Sequence, residues 1–180
     1  VFVTSHSPTI TAKSDVNNIS ILQRKQSIIQ SFSFDELSED DYPKESKRHL
    51  RKFLDTTKAQ LFFANGVLLV EGVAEAIIIP ILAKKFLTEK IDLCKSGIEL
   101  VNIGGVAFNH FGLLFNNDDE RKRLLSKCAI ITDSDPKDNG DISDRAQKAK
   151  DLEKHNLKVC LATHTLEHDL FEQSERNKAI

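Results

Sequence analysis

The chain has 180 residues, 40% of them hydrophobic and 29% charged, with a formal net charge of -2. That size and composition predict one globular domain plus part of another and exclude wholesale disorder. No window approaches the roughly 18 consecutive apolar residues of a membrane-spanning helix, and any nucleic-acid binding must come from a local patch, because bulk charge offers none.

A short apolar run over residues 1–4 breaks at Ser5-His6-Ser7-Pro8, with no basic segment leading into an apolar leader. Beyond a polar stretch to residue 18, two β-like runs are expected at 19–22 and 27–32. An acidic, turn-rich stretch (Asp35, Glu36, Glu39, Asp40, Asp41, Pro43) is the best boundary candidate. Leu50, Phe53 and Leu54 lie at i, i+3, i+4 among Lys and Arg, which predicts an amphipathic helix from residue 44 to about 57. A short helical stretch at 59–64 is expected to end on an Asn65-Gly66 cap.

From residue 66 the pattern alternates. Apolar runs at 67–70, 99–103, 128–132 and 158–162 each end in a polar turn, and helices are expected at 74–87, near 108–115 and at 145–155. Near-continuous apolar strands alternating with helices predict an α/β fold, a parallel four-stranded sheet with helices on both faces. Pro80 is expected to kink the helix that contains it. The organisation read from these shifts is 1–35, then an acidic linker with helices over 36–65, then the sheet domain over 66–180. Cys128 and Cys160 sit in apolar runs and read as buried thiols of a reducing, cytoplasmic compartment; with Cys94 they make an odd number without zinc spacing. The chain starts at Val1 and contains no Met, so it is expected to be a piece of a longer protein.

Ligands of open parallel sheets bind at the carboxyl ends of the strands. The polar residues there are Glu71 and Glu75 after the first run, Gly104-Gly105 after the second, Asp133 and Asp135 after the third, and Glu167 and Asp169 beyond the fourth. Glu71 and Glu75, four apart, can share one side of a helix start; Asp133 and Asp135, two apart on extended chain, share a face. Carboxylates gathered in one crevice repel each other, and a hard divalent cation removes that penalty; all-oxygen ligation suits Mg2+ or Mn2+, and two such ions are the usual arrangement for cutting phosphodiesters. Either acidic pair alone is common at strand ends; their combination, in this order after consecutive strands, is far more specific. Gly72, Gly104 and Gly105 allow tight turns and close backbone approach.

V-L-L-V-E-G-V-A-E, V-N-I-G-G and A-I-I-T-D-S-D-P together resemble the Toprim domain of topoisomerases, primases and certain nucleases. T-H-T-L-E-H-D-L-F after the fourth strand, with T-S-H-S-P and D-V-N-N-I-S-I-L-Q-R near the start, resembles the OLD (overcoming lysogenization defect) family of nucleases, in which an ABC-type ATPase domain precedes a C-terminal Toprim domain. The resemblance implies that residues 1–35 end the ATPase domain as short strands, with His6 sensing a nucleotide γ-phosphate, and that 66–180 form a Rossmann-like Toprim nuclease. It implies DNA as substrate, two divalent ions as cofactors, and a homodimer formed through the ATPase portion. Asp133 and Asp135 would be metal ligands, then Glu75 and Glu167, with Asp169 nearby; Glu71 would ligate a metal or orient water as general base. No phosphate-binding G-x-x-x-x-G-K-[ST] loop is present, so ATP hydrolysis is expected only of the longer parent. Val73 stands where members often carry a polar or acidic residue, and the family's later lysine element has no counterpart before Ile180.

Rival readings keep the Toprim fold for a primase or an RNA-maturing nuclease, or make it a degenerate interaction module. A topoisomerase needs a nucleophilic tyrosine, and Tyr42 is the sole candidate. The six His residues lack a zinc pattern apart from His164 and His168, between which Glu167 is the better ligand. Lys84-Lys85 and Arg121-Lys122-Arg123 are candidate phosphate contacts, although charge runs are usually solvated faces.

Overall fold

The computed structural model describes residues 1–55, 57–86, 92–105 and 108–172. Residues 1–4 form no strand, and Val1, Phe2 and Val3 are exposed. Helix α1 (Pro8–Lys13) follows, in what reads from the sequence as plain polar chain. Its local cause is a start signal: the Ser7 side chain accepts from the Ile10 N–H at 3.4 Å, and Pro8 takes a first-turn position where its missing N–H is not needed.

The two β-like runs form an antiparallel hairpin, β1 (Ser20–Lys25) and β2 (Ile28–Ser33), which turns through Gln26 at φ 54. A two-stranded ribbon is marginal alone. Gln23 ties this one to chain a hundred residues on, donating Nε2 to the Arg123 carbonyl at 3.3 Å and accepting the Leu125 N–H at 2.7 Å. Gln30 adds a bond to the Glu120 carbonyl at 3.2 Å.

Helix α2 (Lys44–Phe53) stops short of residue 57 because Leu54 closes the last turn on the Leu50 carbonyl and leaves helical geometry. Asp55 then accepts the Lys58 N–H at 2.8 Å and opens a 3-10 turn, Lys58–Phe63. Asn65-Gly66 is not a helix cap: Asn65 N–H bonds the Gly97 carbonyl at 2.8 Å and Gly66 begins a strand.

The remainder is β3 (Gly66–Val70), α3 (Val73–Phe86), β4 (Ile98–Asn102), α4 (Phe108–Gly112), β5 (Lys127–Thr132), α5 (Asp144–Lys150), β6 (Leu157–Leu161) and α6 (Leu166–Glu172). The four strands form a parallel sheet in the order β4-β3-β5-β6, the predicted α/β architecture. Helix α3 continues through Pro80, and α4 and α5 end before the expected limits of about 115 and 155.

The two sheet faces are covered unequally. Val67, Leu69, Val101, Cys128, Ile130, Leu157 and Val159 share the buried face, whereas Leu68, Leu100, Ala129 and Ile131 opposite are half-buried. Cys160 is exposed, contrary to expectation, because edge strand β6 alternates and its buried side is already taken by Leu157 and Val159. On the buried face one apolar cluster joins the sheet to Val16, Phe32, Phe34, Leu37, Tyr42 and Leu50. Phe34 is its hub, with edge-on rings of Phe32, Tyr42 and Phe62 at 5.1, 5.9 and 6.0 Å. Residues on both sides of position 35 therefore share one core. Among the described residues no helix is long and apolar enough to cross a membrane.

Candidate functional site

Strand β3 is central, with β4 on one side and β5 on the other, so the strand order reverses there and a crevice opens at the carboxyl ends of β3 and β5. Glu71 follows β3 and the Asp133-Ser134-Asp135 turn follows β5. Both oxygens of Glu71 are engaged. Oε1 accepts the Thr132 hydroxyl, and Oε2 lies 3.3 Å from Arg145 Nη1. The Glu71 side chain is 15% exposed. The other terminal nitrogen of Arg145 donates to Asp135 Oδ2, so one guanidinium spans both carboxylates.

Asp133 Oδ1 accepts the Leu166 N–H at 3.0 Å. Burial raises the Asp133 carboxyl above the ordinary aspartate range, the Leu166 bond opposes the rise, and the charges of Glu71, Asp135 and Glu167 add to it. Four of the residues singled out in the sequence thus share one field. The turn that carries the aspartates is pinned through Ser134, which is buried and donates its hydroxyl to the Thr163 carbonyl at 2.5 Å. Its N–H bonds the His164 carbonyl at 3.1 Å, and its own carbonyl accepts Ser143 N–H at 2.9 Å. Asp135 sits at φ 41, a left-handed conformation that aspartate tolerates better than most residues.

The glycines shape the rim. Gly104 and Gly105 have φ of 68 and 121, and the Gly105 N–H bonds the Glu71 carbonyl at 2.9 Å, so this turn buttresses the Glu71 backbone. A Cβ on Gly72 would lie 3.1 Å from Glu75 Oε2: Gly72 leaves room for Glu75 to fold back over the start of α3. Asp169 turns to its own loop, accepting the Thr163 N–H at 2.8 Å, which holds its carboxyl below the usual range. His6 is exposed and lines a cleft with Asn65 and Ser126, which precede β3 and β5, at the opposite end of the sheet.

Tyr42 is fully buried and its hydroxyl donates to the His110 carbonyl; burial raises its pKa above the ordinary value, which removes it as a nucleophile. The Arg121-Lys122-Arg123 run is taken up locally, by Asp119, by Asp41 at 2.7 Å and by the Asn117 carbonyl at 2.7 Å.

The all-oxygen donor set and the raised Asp133 carboxyl fit a hard divalent cation. Among the described residues no three His, Cys, Asp or Glu side chains are drawn around one point, and Arg145 stands between two of the carboxylates. Sequence reasoning misses Arg145, Thr132 and Ser134. Arg145 lies ten residues beyond Asp135 in what reads as a solvated helix start, and only the position of Thr132 as last residue of an apolar run marks it.

Residues 62–135 match the family model described as the overcoming lysogenization defect protein-like TOPRIM domain. The C-terminal region of the Burkholderia pseudomallei OLD protein is 25% identical with a TM-score of 0.46, over 61% of this chain and 59% of that one. Two structures of the C-terminal region of the Xanthomonas campestris pv. campestris OLD protein are 26% and 28% identical, with TM-scores of 0.41 and 0.42. They align over 61% and 62% of this chain and 57% and 56% of theirs, so the match spans less than two thirds of each. No curated protein matches the chain.

Proposed function

We propose that this chain, whose residues 62–135 form an OLD-like Toprim domain, is the nuclease part of a divalent-metal-dependent DNA endonuclease. What supports the reading is that Glu71, Asp135 and Glu167 all act electrostatically on Asp133 at the carboxyl-end side of the sheet. Mg2+ or Mn2+ held there would polarise a phosphodiester and offset the charge that develops as it is cut. Asp133 and Asp135 hold the ions and Glu75 and Glu167 complete the oxygen set. Glu71, fixed through Thr132 and the Gly105 N–H, ligates a metal or orients the water. In a longer cytoplasmic parent, residues 1–35 close an ABC-type ATPase domain that brings two copies together, and His6 senses its nucleotide.

Nicking of supercoiled plasmid in Mn2+ or Mg2+, lost in Asp133→Ala and Asp135→Ala and on chelation, is the expected result. Absence of both nicking and Mn2+ binding would overturn the reading. One observation favours a second reading, a catalytically degenerate interaction module: Arg145 already occupies Glu71 and Asp135. Calorimetric Mn2+ binding that depends on Asp133 separates the two.

A further inference from the structure

We infer that Arg145 is an internal competitor of the divalent ion, its guanidinium holding Glu71 and Asp135 in the arrangement a metal must break to bind. The inference rests on the metal-dependent reading of this crevice. Three observations carry it. First, Arg145 lies 3.3 Å from Glu71 Oε2 and donates to Asp135 Oδ2, while Thr132 donates to Glu71 Oε1, so the positive charge that both carboxylates attract is already in place. Second, Arg145 is the second residue of α5, whose first turn presents the positive end of the helix dipole. A cation there gains nothing from its own helix, and the contacts that hold it are those to the two carboxylates. Third, Arg145 Nε is buried and has no acceptor among the described residues, so the pose leaves one of its donors unused. A cleft of about 310 Å³ lined by Arg145 with Phe108, Asn109, Lys148 and Ala149 gives the side chain room to leave.

A divalent ion on Glu71 and Asp135 and a guanidinium bridging them repel each other and compete for the same two negative charges. Metal binding must therefore displace Arg145, and by linkage Arg145 must weaken metal binding.

The test is Mn2+ titration by calorimetry on the same chain with Arg145→Met, which keeps the aliphatic stem without the charge, and with Arg145→Lys, which cannot bridge two carboxylates bidentately. We expect Mn2+ to bind at least about tenfold more tightly to Arg145→Met, a difference of about 1.4 kcal/mol, with Arg145→Lys in between. Without metal, Arg145→Met should melt below the parent chain and gain more from added Mn2+, because its carboxylates are left unpaired. Unchanged or weaker Mn2+ affinity in a folded variant overturns the inference while leaving the metal reading intact. If neither parent nor folded variant binds Mn2+, it is the metal reading that fails. Should Arg145→Met not fold, Arg145→Lys alone decides by the same criterion.

Discussion

The carboxylate of Asp133, at the end of β5, accepts the backbone N–H of Leu166, the first residue of α6, at 3.0 Å. A residue at the heart of the acidic crevice thereby also caps a helix 33 residues further on. The capping bond favours the charged form, and burial together with Glu71, Asp135 and Glu167 disfavours it; the net displacement is upward.

That balance fixes the sign of a substitution. A carboxyl raised in the folded state binds its proton more tightly there than in the unfolded chain, so folding stability falls as pH rises through the raised pKa. At neutral pH the charged Asp133 is a cost. Asp133→Asn keeps an oxygen for the Leu166 N–H and removes the charge, so without metal it should raise the melting temperature by roughly 1–2 °C at pH 7. The gain should shrink as pH approaches 4, and Mn2+ binding should vanish. Melts followed by circular dichroism at several pH values test this; a lower melting temperature at pH 7 would mean that the cap outweighs the repulsion.

Asp41 presents the opposite sign. Its carboxylate accepts from Lys122 Nζ at 2.7 Å, the Ser38 hydroxyl at 2.6 Å and Asn117 Nδ2 at 2.9 Å, and these hold it well below the usual range, Lys122 foremost. A depressed carboxyl contributes stability that is complete above its unfolded value near 4 and fades as pH falls through the folded one. Asp41→Asn should therefore lose about 1–2 kcal/mol at pH 7 and progressively less below pH 4. Urea denaturation across that range would show a constant difference if the effect were packing alone.

The sequence made the sheet legible because β3 to β6 are apolar runs with turns at fixed places, and strand ends fix where ligands go. Glu71 and the Asp133-Ser134-Asp135 turn directly follow β3 and β5, so the ends of the apolar runs mark their positions. Arg145 is illegible, since its meaning depends on its guanidinium reaching Glu71 at the end of β3, a tertiary fact with no periodic signal. Cys160 reads as buried in the sequence because an apolar run at a sheet edge looks like one at its centre. The helix at Pro8–Lys13 has Ser7-Pro8 as a start signal but no apolar stripe after it, so periodicity does not reveal it. Around position 35 the acidic stretch marks a change in solvation, while Phe34, Leu37 and Tyr42 within it are buried, a contrast that composition alone does not carry.

The hairpin's attachment yields the last prediction. Leu22 and Ile29 on its outer face are exposed, while Phe32 anchors the inner face in the common core. Besides that apolar anchor, Gln23 supplies two bonds, to the Arg123 carbonyl and from the Leu125 N–H, on the segment leading into β5. Gln23→Ala leaves both backbone groups without their partner in a half-buried setting, where water can replace only part of what is lost; about 1–2 kcal/mol is the expected cost. That cost should fall on local opening of β1 and β2 and not on the parallel sheet, because regions open with their own free energies. Amide exchange in β1–β2 should accelerate by roughly tenfold, with β3 and β5 unchanged. Equal acceleration in β3 would show that the hairpin and the sheet open as one unit. No acceleration anywhere would show that Phe32 and Phe34 hold the hairpin by themselves.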